Sequence, residues 1–137
     1  MPFDLDRFVT AQESSYPSVI AELRAGHKTG HWMWFVFPQL AGLGSSSTAR
    51  AYAVSGLDEA RAYLAHPVLG PRLVAAARAV ADLSGDDPVA VLGSIDAVKL
   101  RSSMTLFEAA DPDEPVYGEV LDKYFGGERD DATLERL

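Results

Sequence analysis

The segment from His27 to Gly44, HKTGHWMWFVFPQLAGLG, concentrates residue types that bind flat, negatively charged molecules. It holds two histidines, one lysine, two tryptophans and two phenylalanines. Aromatic rings offer stacking surfaces, and an ammonium group donates charge-assisted hydrogen bonds to a phosphate. Residues 23–57 contain no Asp or Glu, although the 137-residue chain has 20 acidic and 12 basic side chains and a net charge of −8. The segment predicts a pocket for an anionic, flat-ringed ligand, and a buried core segment is the alternative interpretation.

Five side chains of this region are predicted to bind such a ligand. The indoles would stack on its ring, and the amide and cationic groups would hold its phosphate: Lys28, Trp32, Trp34, Gln39 and Arg50. His31 is a candidate catalytic residue, because an imidazole exchanges a proton near neutral pH. A structural hydrogen-bond donor is the alternative role for His31, and ordinary surface charge is the alternative for Lys28 and Arg50.

A second segment with chemical potential covers residues 94–107, SIDAVKLRSSMTLF. On a helix Asp96, Lys99 and Ser103 share one face, since they lie at positions i, i+3 and i+7. Serine is a poor residue for the middle of a helix, so Ser102 and Ser103 indicate polar surroundings. We predict Asp96 and Lys99 as catalytic residues, with a lysine-activated serine as a conceivable nucleophile, and both serines as ligand contacts. A salt bridge beside solvated serines is the alternative.

Composition excludes several other classes of function. The chain has no Cys, and its three His show no recognised ligand spacing, so we predict neither a metal nor a cofactor. An isoelectric point near 4.7 argues against nucleic-acid or anionic-membrane partners. Neither a signal peptide nor an apolar run of about 20 residues is present, which predicts a soluble cytoplasmic protein. A small anionic molecule remains the expected partner, and the sequence does not specify the oligomeric state.

The elements that must position these residues are predicted to be helices. Apolar residues recur at three- and four-residue spacing, and no alternating strand pattern competes with them. In the first half, a helix is expected from Leu5 to Gln12, and a second begins at Pro17 and ends at Gly26. The apolar run 32–37 is interpreted as a helical turn that Pro38 ends.

In the second half, serines would cap a helix near Thr48, and Asp58 would cap the next helix. An alanine-rich helix is expected over 68–83, and a start shifted toward Arg72 by Gly70-Pro71 is the alternative. The remaining helices cover residues 94–111, the region around Tyr124, and the end of the chain. These assignments predict an all-α fold in which residues 1–137 form one compact orthogonal domain of six to eight helices. Its core is predicted to contain Phe8, Leu23, Trp34, Phe35, Leu64, Leu73, Leu106 and Phe107.

Motifs along the whole chain resemble the domain of unknown function 1810 family, DUF1810. They are FVTAQ, EL-x-x-G-x-K-x-x-HWMWFVFPQ-x-x-GLG-S, EA-x-x-YL-x-HP-x-LG-x-RL, D-x-x-KL-x-SSMTLF and YF-x-G-x-x-D-x-x-TL. The resemblance implies an all-helical and mostly bacterial protein, and it assigns no catalytic residue. The family is sometimes labelled calpastatin-like, but calpastatin inhibitory segments are disordered, and this composition is not typical of disorder.

A fainter resemblance is to the NADAR family of helical N-glycosidases. It depends on Asp96 and Lys99, the methionine that follows them, and the aromatic-glycine pair Phe125-Gly126. The resemblance implies hydrolysis of an ADP-ribose-like substrate. The acid-free window departs from that chemistry because it offers no glutamate to assist glycosidic cleavage, which leaves Asp96 as the carboxylate of these two segments.

Overall fold

The computed structural model describes residues 3–137, which form ten α-helices. In chain order the helices are α1 Asp6–Gln12, α2 Tyr16–Ala25, α3 Met33–Val36, α4 Ser47–Ala51, α5 Leu57–Ala65, α6 Leu69–Ala81, α7 Pro88–Leu92, α8 Ser94–Ala110, α9 Val116–Phe125 and α10 Asp131–Arg136.

Local sequence signals explain several helix ends. Helix α2 has proline in its first turn and ends at Gly26, whose φ of 75° is a left-handed conformation that glycine adopts without strain. Helix α4 begins after Ser46, whose hydroxyl accepts a hydrogen bond from the Ala49 amide. Asp130 caps α10 in the same way through the Thr133 amide. Gly26 thus marks the start of one loop, and Ser46 and Asp130 mark the ends of two others.

Helix α8 is the centre of the fold. It has 17 residues and packs against α5, α7, α9 and α10. Its residues 102–107 are all buried, so the middle of this helix has no solvent-facing side. Toward its first turn, by contrast, Asp96 and Lys99 are only partly covered. The helix therefore leads from the core to a partly exposed N-terminal end, where Ile95 and Val98 are also exposed.

A chain of aromatic rings joins four helices through the core. The rings of Phe8 and Tyr63 meet edge to face with centroids 5.1 Å apart. Tyr63 lies 5.3 Å from Phe107, which lies 6.2 Å from Tyr117. These spacings are in the favourable range for aromatic pairs, so α1, α5, α8 and α9 share one packed interior.

A largely buried ion pair between Arg7 and Glu59 links α1 to α5. Arg7 Nη2 lies 3.0 Å from Glu59 Oε2, and the Glu59 side chain is almost fully buried. The same guanidinium donates to the carbonyl oxygens of Ala51 at 2.9 Å and Ala53 at 2.8 Å. The other oxygen of Glu59 accepts a hydrogen bond from the Ser55 amide at 2.8 Å. Both charges are thus satisfied, as burial requires.

The predicted all-α class is confirmed, but the predicted count of six to eight helices is wrong. Ten helices form in residues 3–137, and α3, α4, α7 and α10 have only four to six residues. Helices this short carry too little periodicity to be counted from sequence, because tertiary packing stabilises them. The one β-type pairing in the same residues is an isolated parallel bridge between Leu40 and Val54.

One predicted helix cap was wrong. Asp58 does not cap α5, because Gly56 occupies the cap position and Asp58 lies in the first turn. Helix α6 begins at Leu69, within one residue of the predicted range 68–83, and the alternative start near Arg72 is not observed. Pro71 is accommodated there since the first-turn amides of a helix have no partner within it.

Most of the predicted core is buried. Five of the eight residues are fully covered: Phe8, Leu23, Leu73, Leu106 and Phe107. Phe35 and Leu64 are half-buried and pack against this cluster. Trp34 is half-buried but lies outside the cluster, so its assignment to the core was wrong. No helix in residues 3–137 is long and apolar enough to span a membrane.

Replacing Phe107 with Ala tests the packing around α8. We expect the free energy of unfolding to fall by about 3 to 5 kcal/mol, because the ring is fully buried and leaves a cavity. Chemical denaturation measures this loss. The matched control is Ile95→Ala on the same helix, where the side chain is 73% exposed and the expected change is about 0.5 kcal/mol or less. A loss below about 1 kcal/mol for Phe107→Ala would contradict the packing.

Replacing Arg7 with Met tests the buried ion pair. The variant leaves the Glu59 carboxylate buried without its partner, so we expect a loss of about 3 kcal/mol in chemical denaturation. Arg61→Met is the control, because its pair with Asp58 is exposed and 3.7 Å long. That variant should lose about 0.5 kcal/mol or less. Equal losses in the two variants would show that the Arg7 pair contributes no more than a surface contact.

Candidate functional site

The loop between α2 and α3 is organised by one carboxylate. Glu22 Oε1 accepts hydrogen bonds from the Thr29 amide at 2.7 Å, the Gly30 amide at 2.9 Å and the Trp32 indole Nε1 at 3.0 Å. Desolvation by itself raises the pKa of Glu22, but the hydrogen bonds from Gly30, Thr29 and Trp32 outweigh it and leave the pKa below its ordinary value. The loop therefore favours the ionised form of Glu22.

Two lysines converge on Asp96 at the N-terminal end of α8. Lys28 Nζ lies 2.8 Å from Asp96 Oδ2, and Lys99 Nζ lies 3.3 Å from Asp96 Oδ1. The side chains of Lys28, Asp96 and Lys99 are only 9%, 17% and 19% exposed. We call these three residues the lysine–aspartate triad. It joins the two segments that the sequence singled out.

The two tryptophans flank the triad in different ways. Trp32 is buried against Phe37, and the Lys28 ammonium lies 5.1 Å from its ring centre. Trp34 is half-buried, and the Lys99 ammonium lies 4.7 Å from its ring centre. Both distances are within the range of cation–π interactions. Trp32 thus forms an inner wall of the site, whereas Trp34 presents part of its ring to solvent.

Three other residues predicted for the site make no hydrogen bond or ion pair with the triad within the described residues. His31 is exposed, and within residues 3–137 its side chain makes no hydrogen bond or ion pair with the triad. Gln39 and Arg50 instead line a separate cavity of about 170 Å³ beside Gly42. The backbone at this point pairs with a later segment, since the Val54 amide donates to the Gln39 carbonyl oxygen at 2.9 Å.

The two serines of α8 are buried. Ser102 Oγ donates a hydrogen bond to Asp130 Oδ2 at 3.0 Å, and Asp130 caps α10. Ser102 therefore contributes to the docking of α10 on α8. Ser103 lies one turn after Lys99 and is fully buried, and within the described chain its hydroxyl has no hydrogen-bond partner.

The triad does not line the main cavities of residues 3–137. Five such cavities measure about 170 to 480 Å³, and Lys28, Asp96 and Lys99 line none of the five. The described residues also hold no group of three His, Asp or Glu side chains placed to bind a metal ion. The triad can therefore offer a ligand charged groups beside an aromatic face.

Sequence reasoning missed Glu22. It is the last acidic residue before the acid-free window, and its three donors lie seven to ten residues further along the chain. The sequence feature that could have identified Glu22 is its position directly before the acid-free window and a loop that contains glycine. The signal is weak, because helix ends commonly carry glutamate on the surface.

Comparisons with known proteins place the chain in a family. The model of the family described as "Protein of unknown function (DUF1810)" matches residues 2–137. A solved structure, that of the conserved hypothetical protein Rv1873 from Mycobacterium tuberculosis, is similar to this chain with 51% sequence identity and a TM-score of 0.98. The match covers 100% of this chain and 98% of that chain. Among curated proteins, none matches significantly. The chain therefore belongs to the DUF1810 family, whose function is unknown.

Proposed function

We propose that the lysine–aspartate triad binds a small anionic molecule that carries a flat ring, such as a nucleotide. The observation that carries this proposal is that two poorly exposed ammonium groups share a single carboxylate. Lys28 and Lys99 are two of only three lysines in the chain, so their convergence is a marked concentration of positive charge in an acidic protein.

Charge balance supports an anionic ligand. With Lys28 and Lys99 protonated and Asp96 ionised, the triad carries a net charge of +1. No other carboxylate of residues 3–137 lies within 4.0 Å of either ammonium group. Poorly hydrated charges are costly unless they are paired, and a phosphate would supply the missing negative charge through hydrogen bonds to ammonium groups.

Trp34 supports a ring in the ligand. Its indole is half-buried, lies outside the apolar core and is next to the Lys99 ammonium. A phosphate held by Lys99 would bring an attached ring within reach of this indole, where stacking favours binding. The alternative interpretation, in which the tryptophans belong to the core, describes Trp32 better than Trp34.

The arrangement supports binding better than catalysis. Both oxygens of Asp96 already contact ammonium groups, and within the described residues His31 makes no hydrogen bond or ion pair with the triad. Asp96 therefore suits the task of holding Lys28 and Lys99 in place. Catalytic roles for Asp96, Lys99 and His31, and N-glycosidase activity on an ADP-ribose-like substrate, stay predictions from the sequence.

Replacing either triad lysine with Met tests the proposal. Lys28→Met and Lys99→Met each remove one charge and keep the apolar stem, and Asp96 retains the other lysine. We expect each variant to keep its fold and to bind adenosine 5′-monophosphate more weakly by about 1.5 to 3 kcal/mol. Isothermal titration calorimetry measures the affinity. Lys123→Met is the matched control, because this third lysine donates to the Leu83 carbonyl oxygen away from the triad.

Binding measurements on the wild-type protein can contradict the proposed function. Adenosine, ribose 5-phosphate and inorganic phosphate separate the ring from the charge, and each should bind more weakly than the nucleotide. A ligand at 100 times its dissociation constant raises the free energy of unfolding by about 2.7 kcal/mol, which a melting curve detects. If nucleotides, dinucleotides and sugar phosphates at millimolar concentration all leave the melting temperature unchanged, the triad is not such a site.

A further inference from the structure

We infer that Glu22 is a positioning residue of the lysine–aspartate triad: its carboxylate holds Gly30 and Trp32, which in turn fix the ammonium group of Lys28. This inference rests on the proposed function, since it assigns to Glu22 a role in ligand binding without contact to the ligand. Glu22 is in α2, whereas Asp96 and Lys99 are in α8. Glu22 therefore acts on the triad through the loop between α2 and α3, which contains Lys28, Gly30 and Trp32.

Gly30 is the first link. Its amide donates to Glu22 Oε1 at 2.9 Å, while its carbonyl oxygen accepts a hydrogen bond from Lys28 Nζ at 2.5 Å. One peptide segment thus joins the carboxylate to the ammonium group. A side chain at this position would disturb the link, because a Cβ atom on Gly30 would lie 2.9 Å from Trp32 Cδ1 and 3.4 Å from Glu22 Oε2.

Trp32 is the second link. Its indole nitrogen donates to the same Glu22 oxygen at 3.0 Å, and the ring it orients lies 5.1 Å from Lys28 Nζ. Glu22 therefore fixes both groups that contact the Lys28 ammonium from its own loop, and Asp96 contacts it from α8. The backbone of Lys28 is anchored separately, since its amide donates to the Val91 carbonyl oxygen at 2.8 Å.

The carboxylate is well suited to this task. Three N–H groups point at one of its oxygens, and hydrogen bonds to an ionised acceptor are stronger than those between neutral groups. A glutamine keeps the size of the side chain but replaces the ionised acceptor with a neutral carbonyl oxygen, to which the three N–H groups bind more weakly. Glu22→Gln should therefore loosen the loop while the distant core remains packed.

The test compares Glu22→Gln with Glu13→Gln, an exposed glutamate that follows α1. In ligand-free protein, two-dimensional NMR follows the Thr29 and Gly30 amides, the Trp32 indole N–H and the Lys28 side chain. Calorimetry then measures the affinity for adenosine 5′-monophosphate. We expect Glu22→Gln to shift all four signals and to weaken binding about 3- to 10-fold, the loss equivalent to one hydrogen bond. Glu13→Gln should change neither.

Each outcome decides a different point. Unchanged signals, or shifted signals with unchanged affinity, would overturn the positioning role of Glu22. If Glu22→Gln does not fold, Gly30→Ala takes its place, because it retains every hydrogen-bonding group and should weaken binding by a similar factor. If wild-type protein binds none of the phosphate probes, the proposed function fails. The NMR signals of ligand-free Glu22→Gln then show independently whether Glu22 fixes Lys28, and an unmoved Lys28 signal overturns the inference.

Discussion

The burial of helix α8 is the constraint on which the rest of the structure depends. Residues 102–107 are covered on every side, so neighbouring helices must surround this stretch, and Phe107 connects it to the aromatic chain of the core. Asp96 lies 11 residues earlier, about 17 Å along the helix axis, where the cover is incomplete. A rigid helix thus places a carboxylate at the edge of the core, where Lys28 can reach it.

The site illustrates how an acidic protein can offer a positive surface. Its net charge of −8 repels anions at long range, but that repulsion is screened at physiological salt over about 8 Å. At short range, the ammonium groups of Lys28 and Lys99 lie beside indole rings, with one carboxylate between them. The carboxylate of Glu22 accepts hydrogen bonds from N–H groups of the loop and forms no ion pair with either lysine of the triad within the described residues.

The sequence predicted the parts of the fold that local chemistry determines. Gly26 ends α2 because its left-handed conformation favours glycine, and Asp96 and Lys99 form the salt bridge that was the alternative interpretation of their spacing. Contacts between residues far apart in the sequence could not be predicted. Ser102 was assigned to a ligand, but its hydroxyl contacts Asp130, 28 residues later. Glu22 was overlooked because its role depends on a loop conformation that no periodicity encodes.

The NMR signal of the Trp34 indole N–H reports most directly on whether a nucleotide binds at the lysine–aspartate triad. The chain has two tryptophans, so a ¹H–¹⁵N spectrum contains two indole signals that can be followed separately. During titration with adenosine 5′-monophosphate, we expect a saturable shift of the Trp34 signal, because its ring is partly open to solvent beside Lys99. Adenosine or inorganic phosphate alone should shift it less at the same concentration. If the nucleotide binds but the Trp34 signal does not shift, the nucleotide binds at another place and the triad is not its site.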